Sequence, residues 1–334
     1  MVQQDSTKAV FKMSVPIFIE LLLQLLVGNI DQIMISRYSQ GSVAAIGNGN
    51  QIMNIVIIVL NVTTIASTIL ISQYLGAQNK RKITETCNVS LLLITLTGIV
   101  AAMLLCFGHN AIFTWLKIPN DILEEAGNYL SIVGSFAVVQ GIYIAFAAIL
   151  RSFGFMKQVM YVSVVMNLIN IAGNAVLING LFGLPQLGII GAAISTNISK
   201  TIGLIIIFRL FRKNIDIKIS PKILKPFPTQ TLKDLLHIAI PSGGEELSYN
   251  LSQVCILKFI NIFGTAVIAT KVYCSMLANV AYVYSIALSQ ATQIMVGYLI
   301  GAGDLEKVKN RIWKTLLYSM VIALSVTAIL YFNA

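Results

Sequence analysis

The chain has 334 residues, of which 57% are hydrophobic and only 11% charged, and its mean hydropathy is +0.82. A soluble globular domain carries roughly 25% charged residues, and the charges here are unevenly spread: Tyr38 to Asn79, Gln158 to Ser199 and Val272 to Gly303 hold none. Such stretches exclude an ordinary soluble fold and predict an all-α polytopic membrane protein.

Nine spans are predicted in chain order: 13–36, 43–75, 86–108, 128–152, 159–181, 187–211, 235–262, 266–300 and 312–333. The second and eighth would each reach about 50 Å, against a hydrocarbon core of about 30 Å, so both must tilt or project beyond the bilayer. The formal charge of +10 is a matter of topology. Lys8 and Lys12 precede the first span, and Lys80, Arg81 and Lys82 follow the second. Arg151 and Lys157 follow the fourth, and seven basic residues lie between Arg209 and Lys233. Lys307, Lys309, Arg311 and Lys314 lie between the eighth and ninth, while the opposite loops hold only Arg37 and Lys117. That alternation puts the N-terminus in the cytoplasm and is not the footprint of a nucleic-acid partner. No secretory cleavage pattern is present, so the first span is expected to be retained.

Residues 212–234 form a basic linker with Pro221, Pro226 and Pro228, dividing a six-helix front lobe (1–211) from the first three helices of a rear lobe (235–334). At a constant offset of 225 residues, Pro16 meets Pro241, Glu20 meets Glu245, Asn54 meets Asn279, Gly76-Ala77 meets Gly301-Ala302 and Lys82 meets Lys307. This is the mark of an internal repeat. A complete second unit would extend to roughly residue 440, so the expectation is a C-terminally truncated chain with about nine of twelve helices. Parallel repeats of this kind are a transporter architecture.

Ionisable groups within a membrane are costly and are functional candidates by default. Glu20, Gln24 and Asp31 share one face of the first span, with the two carboxylates about 16 Å apart along the axis. Asn167, Asn170 and Asn174 form a stripe on the fifth span; asparagine oxygens can ligate a hard cation such as Na⁺ without net charge, and they can equally serve as interhelical hydrogen bonds. The seventh span opens with Pro241-Ser242-Gly243-Gly244-Glu245-Glu246, followed by Tyr249, Asn250 and Gln253. Adjacent carboxylates in an apolar segment repel and desolvate one another, which makes Glu245 and Glu246 candidates to carry coupling protons. The sequence does not choose between them. Lys258 and Lys271 are expected to snorkel to an interface, whereas Lys200 lies within the sixth span. Cys87, Cys106, Cys255 and Cys274 read as apolar packing, and His109 and His237 as structural. There is no Walker A loop, G-x-S-x-G, H-E-x-x-H or Rossmann glycine pattern, so no enzyme or ATP-driven pump is expected. An ion gradient, Na⁺ or H⁺, would drive transport, without a cofactor.

The run Pro16…Asn29-Ile30-Asp31-Gln32-Ile33-Met34…Ala44-Ala45-Ile46-Gly47 resembles the first helix pair of the multidrug and toxic compound extrusion (MATE) family. So do Asn167…Asn170…Asn174…Gly180…Gly183…Pro185…Gly188…Gly191…Ala193 across the fifth and sixth spans. Pro241-Ser242-Gly243-Gly244-Glu245…Tyr249-Asn250…Gln253 is similar to the opening of that family's second lobe, and Ala291-Thr292-Gln293-Ile294…Gly297…Gly301-Ala302 to the end of its eighth helix. The resemblance implies a two-lobed antiporter in the cell membrane that exports small, often cationic organic compounds in exchange for Na⁺ or H⁺. It implies ion coupling at Asp31, with Asn174 standing where some members have an Asp, and an acidic site near Glu245, although some members carry their glutamate nearer the position of Tyr249. A flippase for lipid-linked precursors, from the wider superfamily, is the alternative; it would be expected to line its cavity with a basic cluster, for which only Lys200 qualifies. A third reading is that the truncated chain transports nothing by itself.

Overall fold

The computed structural model describes residues 6–36, 39–116, 118, 120–183, 185–260 and 265–332. These form ten α-helices joined by short turns, and the described residues contain no strand. They are α1 (Thr7–Ser36), α2 (Gln40–Gly76), α3 (Lys80–Trp115), α4 (Asn120–Ser135), α5 (Ala137–Ser152), α6 (Met156–Asn179), α7 (Gly188–Asn214), α8 (Thr229–Ile260), α9 (Thr265–Gly301) and α10 (Leu305–Phe332). Six of the described helices are long and apolar enough to cross a membrane, or seven if the bent pair α4–α5 is one span. Over the described residues, eight of the nine predicted spans fall each on one helix and the fourth on the pair α4–α5. Arg37 and Lys117, the only basic residues expected on the far side, lie outside the described residues.

The fourth span differs from its prediction. It begins at Asn120 and is broken at Phe136, where α4 and α5 meet at 46°. The break follows Gly134-Ser135, the kind of pair at which helices kink. Gly134 lies where a Cβ would strike the Leu105 side chain, and Gly98 where one would strike the Val138 backbone. Glycine therefore lets α3 run close along both halves. The linker is also shorter than its composition suggests: α7 continues to Asn214 and α8 starts at Thr229. The irregular stretch between them is docked on α3, because Asn88 accepts from Ser220 N at 2.9 Å and donates to Lys218 O at 3.0 Å.

The offset of 225 residues seen in the sequence carries α2 onto α9 end for end, and Pro16 inside α1 onto Pro241 inside α8. The ends of α2 and α9 cross symmetrically. Gly76 lies against the Tyr298 carbonyl, and Gly301 against the Gln73 carbonyl, each so close that a Cβ would collide with backbone. The helices before the linker meet those after it through α1 on α9, through α2 on α8 and α9 and through α3 on α8, while α10 packs chiefly on α9. The cores follow this plan. One cluster joins α2, α3, α5, α6 and α7 around Phe146 and Phe211. Another centres on Phe113, Tyr129 and Leu130, and a third joins Val10, Met13 and Ile17 of α1 to Leu288, Ile294 and Met295 of α9.

Candidate functional site

Two sets of polar residues lie within the bundle. The first links α1, α6 and α7. Asn174 Nδ2 donates to Asp31 Oδ1 at 2.7 Å and lies 3.4 Å from Asn170 Oδ1. Asn170 Nδ2 in turn donates to Thr196 Oγ1 at 3.3 Å, and the Asn170 carbonyl accepts from Ser195 Oγ at 2.9 Å. Asn170 and Asn174 are buried, and Asn174 Oδ1 has no hydrogen-bond partner. The i, i+4 spacing of the two asparagines puts them one above the other on α6. Gly173 lies beside them where a Cβ would strike Ser195 Oγ, so α7 approaches closely enough for Thr196 to join the chain. Asn167, a turn earlier, lies outside this chain of bonds, with its buried Nδ2 unpartnered.

The second set surrounds a cavity of about 300 Å³ lined by α1, α2, α5, α6, α7 and α9. Glu20, Gln24, Gln140, Tyr143, Arg151 and Lys200 line it, together with Asn61 and Gln290. Arg151 Nη2 donates to Glu20 Oε1 at 2.6 Å, forming an ion pair inside the bundle. An adjoining cavity of about 250 Å³ shares Asn61, Arg151 and Gln290 and adds Glu246, Gln293 and three residues of α2.

Not every sequence candidate comes to these sites. Asp31, Asn170 and Asn174 come together, whereas Glu20 and Gln24, on the same helix as Asp31, line the separate cavity. Of the adjacent pair, Glu246 lines a cavity and Glu245 is exposed. Tyr249 is 63% exposed, and Asn250 is exposed with its amide returned to the Glu246 carbonyl of its own helix. Among the described residues, no group of three or more His, Cys, Asp or Glu could hold a metal ion. Cys87, Cys106 and Cys255 are free thiols, and the side chains of Cys274, Lys258 and Lys271 lie outside what is described.

The sequence reading missed Arg151, which it grouped with loop charges. The residue occupies the last turn of α5 and reaches inward to Glu20. A signal existed: Gln140, Ile144, Ala147 and Arg151 fall at i, i+4, i+7 and i+11, one helical face, and all four line the cavity.

Comparison with known proteins agrees with this architecture. The family model MatE matches residues 16–176 and 241–334. The Bacillus subtilis transporter YisQ, itself uncharacterized, is 36% identical over 326 residues, covering 98% of this chain and 72% of that protein. A probable multidrug resistance protein NorM of Thermotoga maritima is 24% identical over 324 residues, 97% of this chain and 70% of that one. A solved MATE structure in the bent conformation superposes with a TM-score of 0.90 at 22% identity, covering 98% of this chain and 72% of its own. A MOP superfamily transporter from Pyrococcus furiosus, whose binding pocket is described as of reversed polarity, gives the same score and identity over 100% of this chain and 73% of its own.

Proposed function

The chain belongs to the MatE family of membrane transporters, and on that premise we propose that it is a secondary active antiporter exporting small organic compounds in exchange for Na⁺ or H⁺. The observation that carries the reading is the Asp31–Asn174 contact. A carboxylate inside an apolar bundle is held by a neutral amide and by no cation among the described residues. It is therefore free to take a charge from the gradient. The unpartnered Asn174 Oδ1 and the Asp31 carboxylate supply two hard oxygens of the kind Na⁺ accepts, with Asn170 behind them; the same carboxylate can take a proton. Glu246 is the rear-lobe candidate for such a role and Glu20 is not, since its charge is answered by Arg151.

The proposal extends to topology: residues 1–211 and 235–334 as front and rear lobes joined by 212–234, in the cell membrane, with the N-terminus in the cytoplasm. Export of ethidium from cells expressing the chain tests it, with the Na⁺ and proton gradients collapsed separately. Efflux that stops with one gradient supports the antiporter; no efflux under either gradient overturns drug export. A second reading, movement of lipid-linked precursors, is favoured by one observation: Arg151 joins Lys200 in lining the cavity between the lobes.

A further inference from the structure

The charges around the 300 Å³ cavity do not add up to the cation site that the family resemblance implies. Glu20 and Arg151 answer each other at 2.6 Å. That leaves Lys200, which lines the same cavity and makes no ion pair among the described residues. Glu246 lines the adjoining cavity and is absent from the lining of this one.

The uncharged atoms point the same way. Arg151 uses Nη2 for Glu20, while its Nε is buried without a partner. Tyr143 is 5% exposed, and its hydroxyl is also buried and unpartnered. Buried polar atoms are normally satisfied, and each exception calls for an explanation. Two of these exceptions and one uncompensated cation lie around a single cavity. An ammonium and a guanidinium N–H can only donate, and the lining carries one positive charge more than Glu20 answers. Gln140 Oε1, the third buried unpartnered atom of the lining, is an acceptor and suits a hydroxyl or amide elsewhere on the same molecule.

We propose that this cavity receives the oxyanion of an organic substrate, a carboxylate or a phosphate, with Lys200 as its counter-charge and Arg151 Nε–H and the Tyr143 hydroxyl as further donors. The inference rests on the export reading above and narrows its substrate class, away from the cations that the resemblance implies. The same chemistry is offered by a soluble organic anion and by a lipid-linked phosphate.

The test is binding to the purified full chain in nanodiscs, followed by fluorescence polarisation, with carboxyfluorescein as the anionic probe and ethidium as the cationic one. Carboxyfluorescein is expected to bind, about tenfold or more weaker to Lys200→Gln and within about threefold of wild type to Lys200→Arg. Tyr143→Phe removes one donor and no charge, and is expected to weaken the anion by roughly threefold. Removing the Lys200 charge should not weaken ethidium, since a cation gains nothing from a neighbouring ammonium. Unchanged anion affinity in Lys200→Gln and Tyr143→Phe overturns the assignment. Ethidium bound and carboxyfluorescein not bound overturns it while leaving the export reading intact; neither probe bound overturns both. Displacement of carboxyfluorescein by undecaprenyl phosphate in the nanodisc identifies a lipid-linked source, and displacement by soluble carboxylates alone identifies a soluble one.

Discussion

Arg151 Nη2 and Glu20 Oε1, 2.6 Å apart, tie the last turn of α5 to the middle of α1. Glu20 is 3% exposed, so the pair lies where removal of one partner strands the other's charge. Breaking such a pair costs about 3 kcal/mol or more, whereas removing both charges is often close to neutral. Glu20→Gln is therefore expected to be destabilised by about 3 kcal/mol, and Glu20→Gln with Arg151→Gln to recover most of that loss. Thermal unfolding in detergent measures both; losses that simply add would show that the pair is not coupled.

Asp31 carries a different kind of prediction. Asp31→Asn keeps a hydrogen-bonding side chain of the same shape beside Asn174 and removes only the charge. Gradient-driven efflux is expected to be abolished while membrane insertion and unfolding temperature stay near wild type. Full efflux in the variant would remove Asp31 from the coupling site.

The glycines separate into two classes that a single substitution distinguishes. A Cβ on Gly76 or Gly301 collides with backbone of the other helix, whereas one on Gly28 of α1 meets nothing within 4 Å. Gly76→Ala or Gly301→Ala should destabilise by about 1–3 kcal/mol through overpacking. Gly28→Ala should stabilise by about 0.5–1 kcal/mol through helix propensity alone. Unfolding temperatures of the three variants, moving in opposite directions, are the check.

Asn88 is 4% exposed and holds both Lys218 O and Ser220 N. Asn88→Ala removes both bonds and should cost about 1–2 kcal/mol, felt first in the stretch between α7 and α8. Trypsin is expected to cut faster at Lys218 or Lys222 in the variant, and unchanged cleavage would show that other contacts dock the segment.

Much of the fold was legible because membrane helices announce themselves by long apolar runs without charge, and the repeat because Pro16 and Pro241 recur in register. The Asp31–Asn174 contact was half legible: the sequence marked both residues as polar groups inside spans, but their meeting depends on how α1 lies on α6. Arg151 was not read as a site residue, since at the end of a span a basic side chain looks the same whether it turns to the interface or inward. The break at Phe136 escaped for a related reason. Gly134-Ser135 permits a kink without requiring one, and packing of α3 against both halves decides it. Glu245 and Glu246 are adjacent in sequence but about 100° apart around the helix, and only the packing of α8 on α2 turns the second toward a cavity.

The crossing of Gly76 and Gly301 makes a seal. At that point α2 and α9 touch backbone to backbone, and no organic solute passes between them. Asn61 and Gln290, which line both cavities, lie about 22 Å and about 16 Å back along their helices at 1.5 Å per residue. At the end of α2 that Lys80, Arg81 and Lys82 follow, these two helices therefore leave no gap between them. Any widening between α2 and α9 at this end requires these two glycines to part.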